Sequence, residues 1–385
     1  MKYSEIKIDR NSPEPLFWQI ASELRRIAGE NMLSGPVGLP SERKLAALLG
    51  VDRSTVNKAF DELSAAGLIT RTSPRKMQWN TGKLRKKLQP FANVGIILPG
   101  KFSGQVEEDY QVPLQYFKGI IDRASEKQVS TIMITLPDAN TPSAKIDEFI
   151  AGLSGRLAGI IHLGDRSIPL DSPLRKLMRC EYLPQVIISA DTKYSNIMQI
   201  LPDIRPGVQA LAARLKKSGL KSVGVVSPYA GFAPKNAAPY FAYSSFSRAG
   251  NVRNALIDNG IDCNDKYHLW DCMTYQACLK NLLLKIESGS LPDVYWCHND
   301  EIANWFHRAC EEAGLQVPEN ISIVGFDGVN IPGNTGLATI KMPFYEIGVQ
   351  AFDLVWHAFE NGNTTPGRPV MVNTGFIDGT TLKNQ

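Results

Sequence analysis

The chain has 385 residues, 43% of them hydrophobic and 21% charged, which is length for two or three domains and apolar content for a sizeable core. Its net charge of +4 is shared unevenly, because residues 1–90 carry 16 Lys and Arg against 9 Asp and Glu while the remainder carries 26 against 29. No stretch approaches the ~20 apolar residues of a membrane span, and the opening MKYSEIKIDR has no apolar signal-peptide core, so a soluble, cytoplasmic protein is expected.

The basic excess coincides with a run of short helical patterns. Leu16, Ile20, Leu24 and Ile27 recur at helical spacing, which predicts a helix from Pro15 to about Gly29 with the proline in its first turn. Asn31 to Gly38 reads as a loop. Ser41 is placed to cap a second helix with apolar face Leu45, Leu48 and Leu49, ended by Gly50. Asp52 is placed to cap a third, Arg53 to about Ala66, which buries Val56, Phe60 and Leu63. Leu68–Thr70 and Met77–Trp79 then read as two short strands around Ser73-Pro74-Arg75-Lys76. Three helices and a two-stranded ribbon make a winged helix, whose third helix offers Arg53, Ser54, Thr55, Asn57 and Lys58 to DNA: Arg to guanine edges, Asn to adenine, hydroxyls to phosphate. The same pattern also fits a solvated helical face with a capping Asp.

The stretch LPSERKLAALLGVDRSTVNKAFDELSAAGLI resembles the GntR-family DNA-binding domain, and the likeness runs over about 65 residues, Pro15 to Trp79. It implies that Arg43, Arg53 and Thr55 contact DNA, with Asn57 where family members often carry Arg. The wing residues Arg75 and Lys76 join the candidate DNA contacts, although the wing lacks the family's usual glycines. Asp52 stands where Ser or Thr is common. Residues 1–79 are thus expected to form the DNA-binding domain, and the basic, polar segment 80–92 a linker.

From Asn93 onward, apolar runs alternate with amphipathic helices. Strands are predicted at Val94–Leu98, Ser130–Thr135, Gly159–Leu163, Gln185–Ser189, Ser222–Ser227, Val294–Cys297 and Ser322–Phe326. Helices fit Gln115–Lys127, Gly207–Ser218, Ser247–Asn259, Tyr275–Ser288 and Glu301–Ala313. Continuous Val/Ile runs between helices indicate parallel sheets covered on both faces, and ligands in such sheets bind beyond the carboxyl ends of the strands. That brings residues 100–110, His162 to Arg166, 190–194 with Asp191, Asn299, Asp300 and Asp327 toward one crevice. Taken singly, Arg248 also fits a surface ion pair, Asp327 a loop cap, and Trp270 and Phe344 the core. The six cysteines (Cys180, Cys263, Cys272, Cys278, Cys297, Cys310) show no CxxC and no Cys/His ligand spacing. They read as buried free thiols, and neither a metal nor a cofactor is expected.

The segment CHNDEIANWFHRACEEAGLQVPENISIVGFDGVNIPGNTGLATIKMPFYEIGVQAF, with FSRAGNVRNALIDNGI upstream, is similar to the effector region of LacI-type repressors. The resemblance implies an α/β, periplasmic-binding-protein-like domain over residues 93–385, with two lobes of parallel sheet, three crossovers and a small molecule, usually a sugar, in the cleft. It implies ligand contacts from Arg248, Asn299, Asp300 and Asp327, a stacking face from Trp270, and Met342 and Phe344 on a crossover near the pocket. His162, Asp191 and Tyr110 complete the candidate effector set. The family's common Asp-Arg after the fourth strand is here Ser189-Ala190-Asp191.

A GntR-type reader on a LacI-type sensor resembles the arabinose-repressor type of regulator. A homodimer on a pseudo-palindromic operator, released by a pentose or deoxyhexose with L-arabinose as first guess, is the expectation. GntR-type readers are also found on aminotransferase-like domains, but those need a Schiff-base lysine and a longer region, and no Ser/His/Asp set or P-loop is visible here. A sugar transport protein is disfavoured by the DNA reader and the opening sequence.

Overall fold

A computed structural model of the chain describes residues 3, 6–12, 14–32, 39–73, 76–80, 93–97, 111–138, 140–154, 156–163, 173–180, 183–188, 194, 196–232, 245–331, 336–361 and 367–384. The described residues up to Asn80 build one unit around its own core. Helix α1 (Leu16–Met32) buries the stripe Ile20, Leu24 and Ile27. In α2 (Glu42–Leu49) the Ser41 side chain accepts from the Lys44 N–H at 3.3 Å. Gly50 ends that helix in the left-handed region, φ 60°, returning its N–H to the Ala46 carbonyl. Helix α3 (Arg53–Ala65) turns Val56, Ala59, Phe60 and Leu63 inward. Asp52 has the extended backbone of a helix cap, but its carboxylate makes no capping hydrogen bond, so the expected side-chain cap is absent. Strands β1 (Ile69–Ser73) and β2 (Lys76–Trp79) pair antiparallel, Ile69 opposite Trp79, and close the winged helix.

The segment before α1 is part of this core. Ile6 is buried, and the Gln19 side chain brackets the chain there, accepting from the Asp9 N–H at 2.8 Å and donating to the Asp9 and Glu14 carbonyls at 2.9 and 2.8 Å. Arg10 donates to the Gly50 carbonyl at 2.8 Å, tying this arm to the turn between α2 and α3.

The remaining elements form two sheets. The first lobe has six parallel strands in the order β12-β7-β6-β5-β3-β4. They are β3 (Asn93–Ile97), β4 (Thr131–Met133), β5 (Leu157–Leu163), β6 (Gln185–Ile188), β7 (Ile197–Asp203) and β12 (Val370–Asn373). Helices α4 (Gln111–Glu126), α5 (Ser143–Ser154) and α6 (Pro173–Met178) connect its strands. The second lobe has the order β13-β11-β10-β9-β8, built from β8 (Val223–Val226), β9 (Val294–Cys297), β10 (Ser322–Asp327), β11 (Ala338–Lys341) and an antiparallel edge β13 (Gly375–Ile377). Its helices are α7 (Arg205–Lys217), α8 (Ser245–Asp258), α9 (Tyr275–Glu287) and α10 (Asp300–Glu312). β5, β6, β8, β9 and β10 are buried along their whole lengths, as expected for Val/Ile-rich parallel strands between helix layers.

The chain crosses between lobes three times: from β7 into α7, from β11 into α11 (Phe344–Asn361), and from β12 into β13. Helix α11 packs on the first-lobe sheet beside α4. Those two helices touch backbone to backbone: a Cβ on Gly119 would lie 2.1 Å from the Tyr345 carbonyl oxygen, and one on Gly348 would lie 2.3 Å from that of Tyr116. The sequence reading missed β7, β11, β12, β13, α5, α6 and α11. The six cysteines are buried and free, as expected.

Candidate functional site

The reader presents one polar face. Alternation along α3 leaves Arg53, Ser54, Asn57 and Lys58 exposed and Thr55 half-buried, while every fourth position anchors the helix in the core. Arg43 is exposed on α2. Arg53 is not loose: its Nε and Nη2 donate to Glu42 Oε2 at 3.0 and 2.9 Å, although 74% of its side chain remains accessible. Asn57 donates to Asp61 Oδ2 at 3.3 Å. The candidate wing contact Arg75 lies outside the described residues, as does the side chain of Lys76.

The second constellation sits where β8, β9 and β10 end. Helix α8 brings Arg248 against two of these ends: Nη1 donates to the His298 carbonyl at 2.9 Å and lies 3.5 Å from Asp327 Oδ1. The guanidinium carbon stands 4.5 Å from the centre of the Phe326 ring. At 3.5 Å the carboxylate is an ion-pair partner without being a hydrogen-bond acceptor. Arg248 Nε and Asp327 Oδ1 are consequently both buried without a hydrogen-bond partner among the described residues. Burial pushes the Asp327 carboxyl up to about 6 despite the nearby arginine. Its backbone is held at φ 112°, a region costly for a side-chain-bearing residue. The Met342 N–H binding its carbonyl at 3.0 Å helps keep it there.

Asn299 and Asp300 follow at the start of α10. The Asn299 side-chain oxygen Oδ1 caps that helix, accepting from the Ile302 N–H at 2.8 Å. Asp300 is fully enclosed: it accepts from the Thr339 hydroxyl at 2.6 Å and the Val329 N–H at 2.7 Å, pinning the loop after β10 to β11. Burial, then the Asp327 charge, pushes its carboxyl up to about 7. Enclosed there, it fixes the loop that follows Asp327. Trp270 packs edge-to-face on Phe232 and His268, with centroids 4.7 and 5.5 Å away.

Three further candidates are held in the core. Phe344 is 2% exposed and meets the Tyr116 ring edge-on at 5.1 Å. Met342 is buried and reaches the site through its backbone. His162 is enclosed in β5, where its Nε2 pairs with Gln185 Oε1 at 2.9 Å; burial pushes it down to about 4, so it is neutral at physiological pH. Tyr110 and Asp191 lie outside the described residues.

Sequence reasoning did not single out His298 or Phe326. His298 is buried with Nδ1 unpartnered among the described residues, its ring edge-on to Tyr229 at 5.5 Å, and burial and the Arg248 charge hold it well below the usual histidine range. Its position directly before Asn299, at the end of β9, was the available signal.

Residues 21–75 match the family described as bacterial regulatory proteins, gntR family, and residues 212–382 match the periplasmic binding protein-like domain. Catabolite control protein A of Staphylococcus epidermidis is 22% identical over 264 residues, covering 68% of this chain and 73% of that protein. The probable HTH-type transcriptional repressor ExuR of Bacillus subtilis is 24% identical over 58% of this chain and 63% of its own length. Among solved structures, the Escherichia coli transcriptional repressor ascG shares the fold with TM-score 0.54 and 18% identity over 76% of this chain and 100% of its own. The lac repressor dimer bound to operator and an anti-inducer does so with TM-score 0.55 and 16% identity over 76% and 95%.

Proposed function

We propose that this chain, a transcriptional regulator of the GntR/LacI type, is a cytoplasmic repressor that leaves its operator when a monosaccharide enters the cleft beside Arg248. The observation that carries this reading is the buried pair of Arg248 Nε and Asp327 Oδ1, a donor and an acceptor without hydrogen-bond partners among the described residues, at the ends of parallel strands. Polar groups enclosed in that state cost about 1–3 kcal/mol each. A polyhydroxylated ligand offers hydroxyls that accept from the one and donate to the other, with Asn299 at the same edge.

Two copies pair through the effector region. Leu114 and Ile121 on α4, with Ile132 and Met133 on the adjoining edge strand β4, are 62, 49, 41 and 50% exposed, an apolar face that suits a second copy. Pairing sets two α3 helices on a pseudo-palindromic site. Ligand closes the lobes about the crossovers and alters the spacing of the readers, lowering DNA affinity through its preference for the closed state. The ligand is a pentose or deoxyhexose, with L-arabinose the first to try, and the chain itself performs no chemistry on it.

The test is a melting-temperature screen of the purified chain against pentoses, deoxyhexoses, hexoses and sugar phosphates, paired with gel shifts on DNA selected from a random pool. A sugar that raises the melting temperature and releases the DNA is expected. A panel in which no sugar does either overturns the proposal.

A further inference from the structure

A groove of about 810 Å³ lies apart from the Arg248–Asp327 pair, and none of its lining residues belongs to that pair. One wall is the end of β7 with the first crossover, residues 201–205, and, at the entry to β12, Arg368, Pro369 and Met371. The other is a single stripe of α8, Asn251, Asn254, Ala255 and Asp258, at the spacing that puts residues on one helical face. The other faces of α8 are committed elsewhere: Ala249, Val252 and Leu256 to the core, Arg253 to Asp265 at 2.9 Å, and Arg248 to the cleft. One short helix therefore lines two sites.

The groove sets two arginines, Arg205 and Arg368, against two carboxylates, Asp203 and Asp258, over an apolar floor. Asp203, its innermost carboxylate, is taken up by Arg205, whose Nε and Nη2 reach it at 2.8 and 2.5 Å. That guanidinium is nonetheless 73% exposed, so its remaining N–H edge faces outward. Arg368 adds a second cation and Asn254 an amide, while Ala255 and the 46%-exposed Met371 give apolar contact. Its size falls in the ordinary range of small-molecule pockets, ~300–1,000 Å³. β12 is the sheet edge opposite β4, so pairing through β4 leaves the groove open.

We propose that this groove is a second ligand site, for a small organic anion, a carboxylate or a phosphate ester carrying a flat apolar part. The anion seats on Arg368 and Arg205 and its carbon face on Ala255 and Met371. Because β7 and β12 belong to the first lobe and α8 to the second, occupancy fixes the distance between lobes and shifts Arg248 through the shared helix. That coupling, though not the binding, rests on reading the Arg248 cleft as the effector site.

The probe is 1-anilinonaphthalene-8-sulfonate, an aromatic body with one fixed anion, titrated by fluorescence into the full chain. Saturable binding is expected, weakened at least tenfold by Arg368→Ala and by Ala255→Trp, which fills the floor. Displacement by phenyl phosphate or by benzoate identifies the phosphate or the carboxylate form. Binding indifferent to both groove substitutions, or displaced by neither competitor, overturns the site. Failure of the effector reading alone shows differently: no sugar alters the melting temperature, while Arg368-dependent dye binding persists.

Discussion

The hydroxyl of Thr374 donates to the main-chain carbonyl of Asp203 at 2.8 Å, joining the third crossover to the first. The Thr374 N–H reaches the same carbonyl at 2.9 Å, and its hydroxyl oxygen accepts from the Gly207 N–H at 3.2 Å. A Cβ on Gly207 would lie 2.6 Å from the Gly375 carbonyl oxygen and 2.9 Å from an Ile340 methyl, so three strand ends and the start of α7 meet without room for a side chain. Thr374→Val keeps the shape but leaves the Gly207 N–H unsatisfied, at a cost of about 1–3 kcal/mol. Gly207→Ala costs more, since the nearest neighbour of its Cβ, the Gly375 carbonyl oxygen, is backbone and cannot rotate away. Denaturant melts of both variants check this, and a Gly207→Ala protein as stable as the parent would refute the packing argument.

Arg248 and Asp327 hold each other in the fold before any ligand arrives. Removing the guanidinium by Arg248→Ala leaves a buried carboxylate unpaired, so ligand affinity is expected to fall by about 2–5 kcal/mol, at least thirtyfold. Arg248→Lys recovers only part, because a lysine supplies neither the fork nor the flat face on Phe326. The Asp327 carboxyl, raised to about 6, adds a pH signature. A sugar hydroxyl donates to its ionised form, so affinity is flat above pH 6 and falls roughly tenfold per unit below it. Calorimetric titration at pH 5, 6 and 7.5 reads this directly; affinity independent of pH would remove Asp327 from the contact set.

Buried histidine gives a stability prediction of opposite sign to the buried carboxylates. His162 is pushed down to about 4 by burial and is ordinary when unfolded, so the unfolded chain binds the extra proton between about pH 6.5 and 4. Its contribution is full above pH 6.5 and is lost as pH falls, by on the order of 3 kcal/mol at the acid end. Asp300, raised to about 7, works the other way, opposing stability as pH rises from its unfolded value. His162→Gln cannot take up that proton, so unfolding should absorb about one proton fewer near pH 5. Parallel melting-temperature profiles of variant and parent from pH 7.5 to 5 would contradict it.

What the sequence made legible follows physical strength of signal. The reader's helices were placed to within a few residues because Ser41 and Gly50 mark ends of α2 and the core stripes are regular. Arg248 and Asp327, identified from separate stretches of sequence, meet in space. β7 and β12 escaped because Ile197–Asp203 contains a proline and acidic end, and Val370–Asn373 lies at a sheet edge with only Val372 buried, so it lacks the continuous apolar run of the inner strands. Phe344 and Asp300, both in the candidate ligand set, meet Tyr116 and Thr339, partners far away in the chain that no spacing reveals. Nor does sequence spacing show that Arg53 already has Glu42 as a partner, eleven residues earlier on another helix.

That last pair shapes the final prediction. Arg53 projects from the first turn of α3, and Glu42 holds its guanidinium at 2.9 Å while leaving it 74% exposed. An exposed pair of this kind contributes about 0–1 kcal/mol to stability, so its removal should barely move the melting temperature. Its worth lies in orientation: a guanidinium restrained at the start of the recognition helix is ready for the two acceptors of a guanine edge, a contact of about 1–3 kcal/mol. Sites selected from a random pool by Arg53→Ala should lose their base preference at one position in each half-site, with affinity about tenfold lower or more. Glu42→Ala should keep the same preferred base but bind more weakly, since the arginine remains and only its restraint is gone. Loss of a basic residue that touches only phosphate weakens all sequences alike. If Arg53→Ala lowers affinity uniformly and selects the parent's sequence, Arg53 serves the backbone, and the base reading passes to its neighbours on α3, Asn57 foremost.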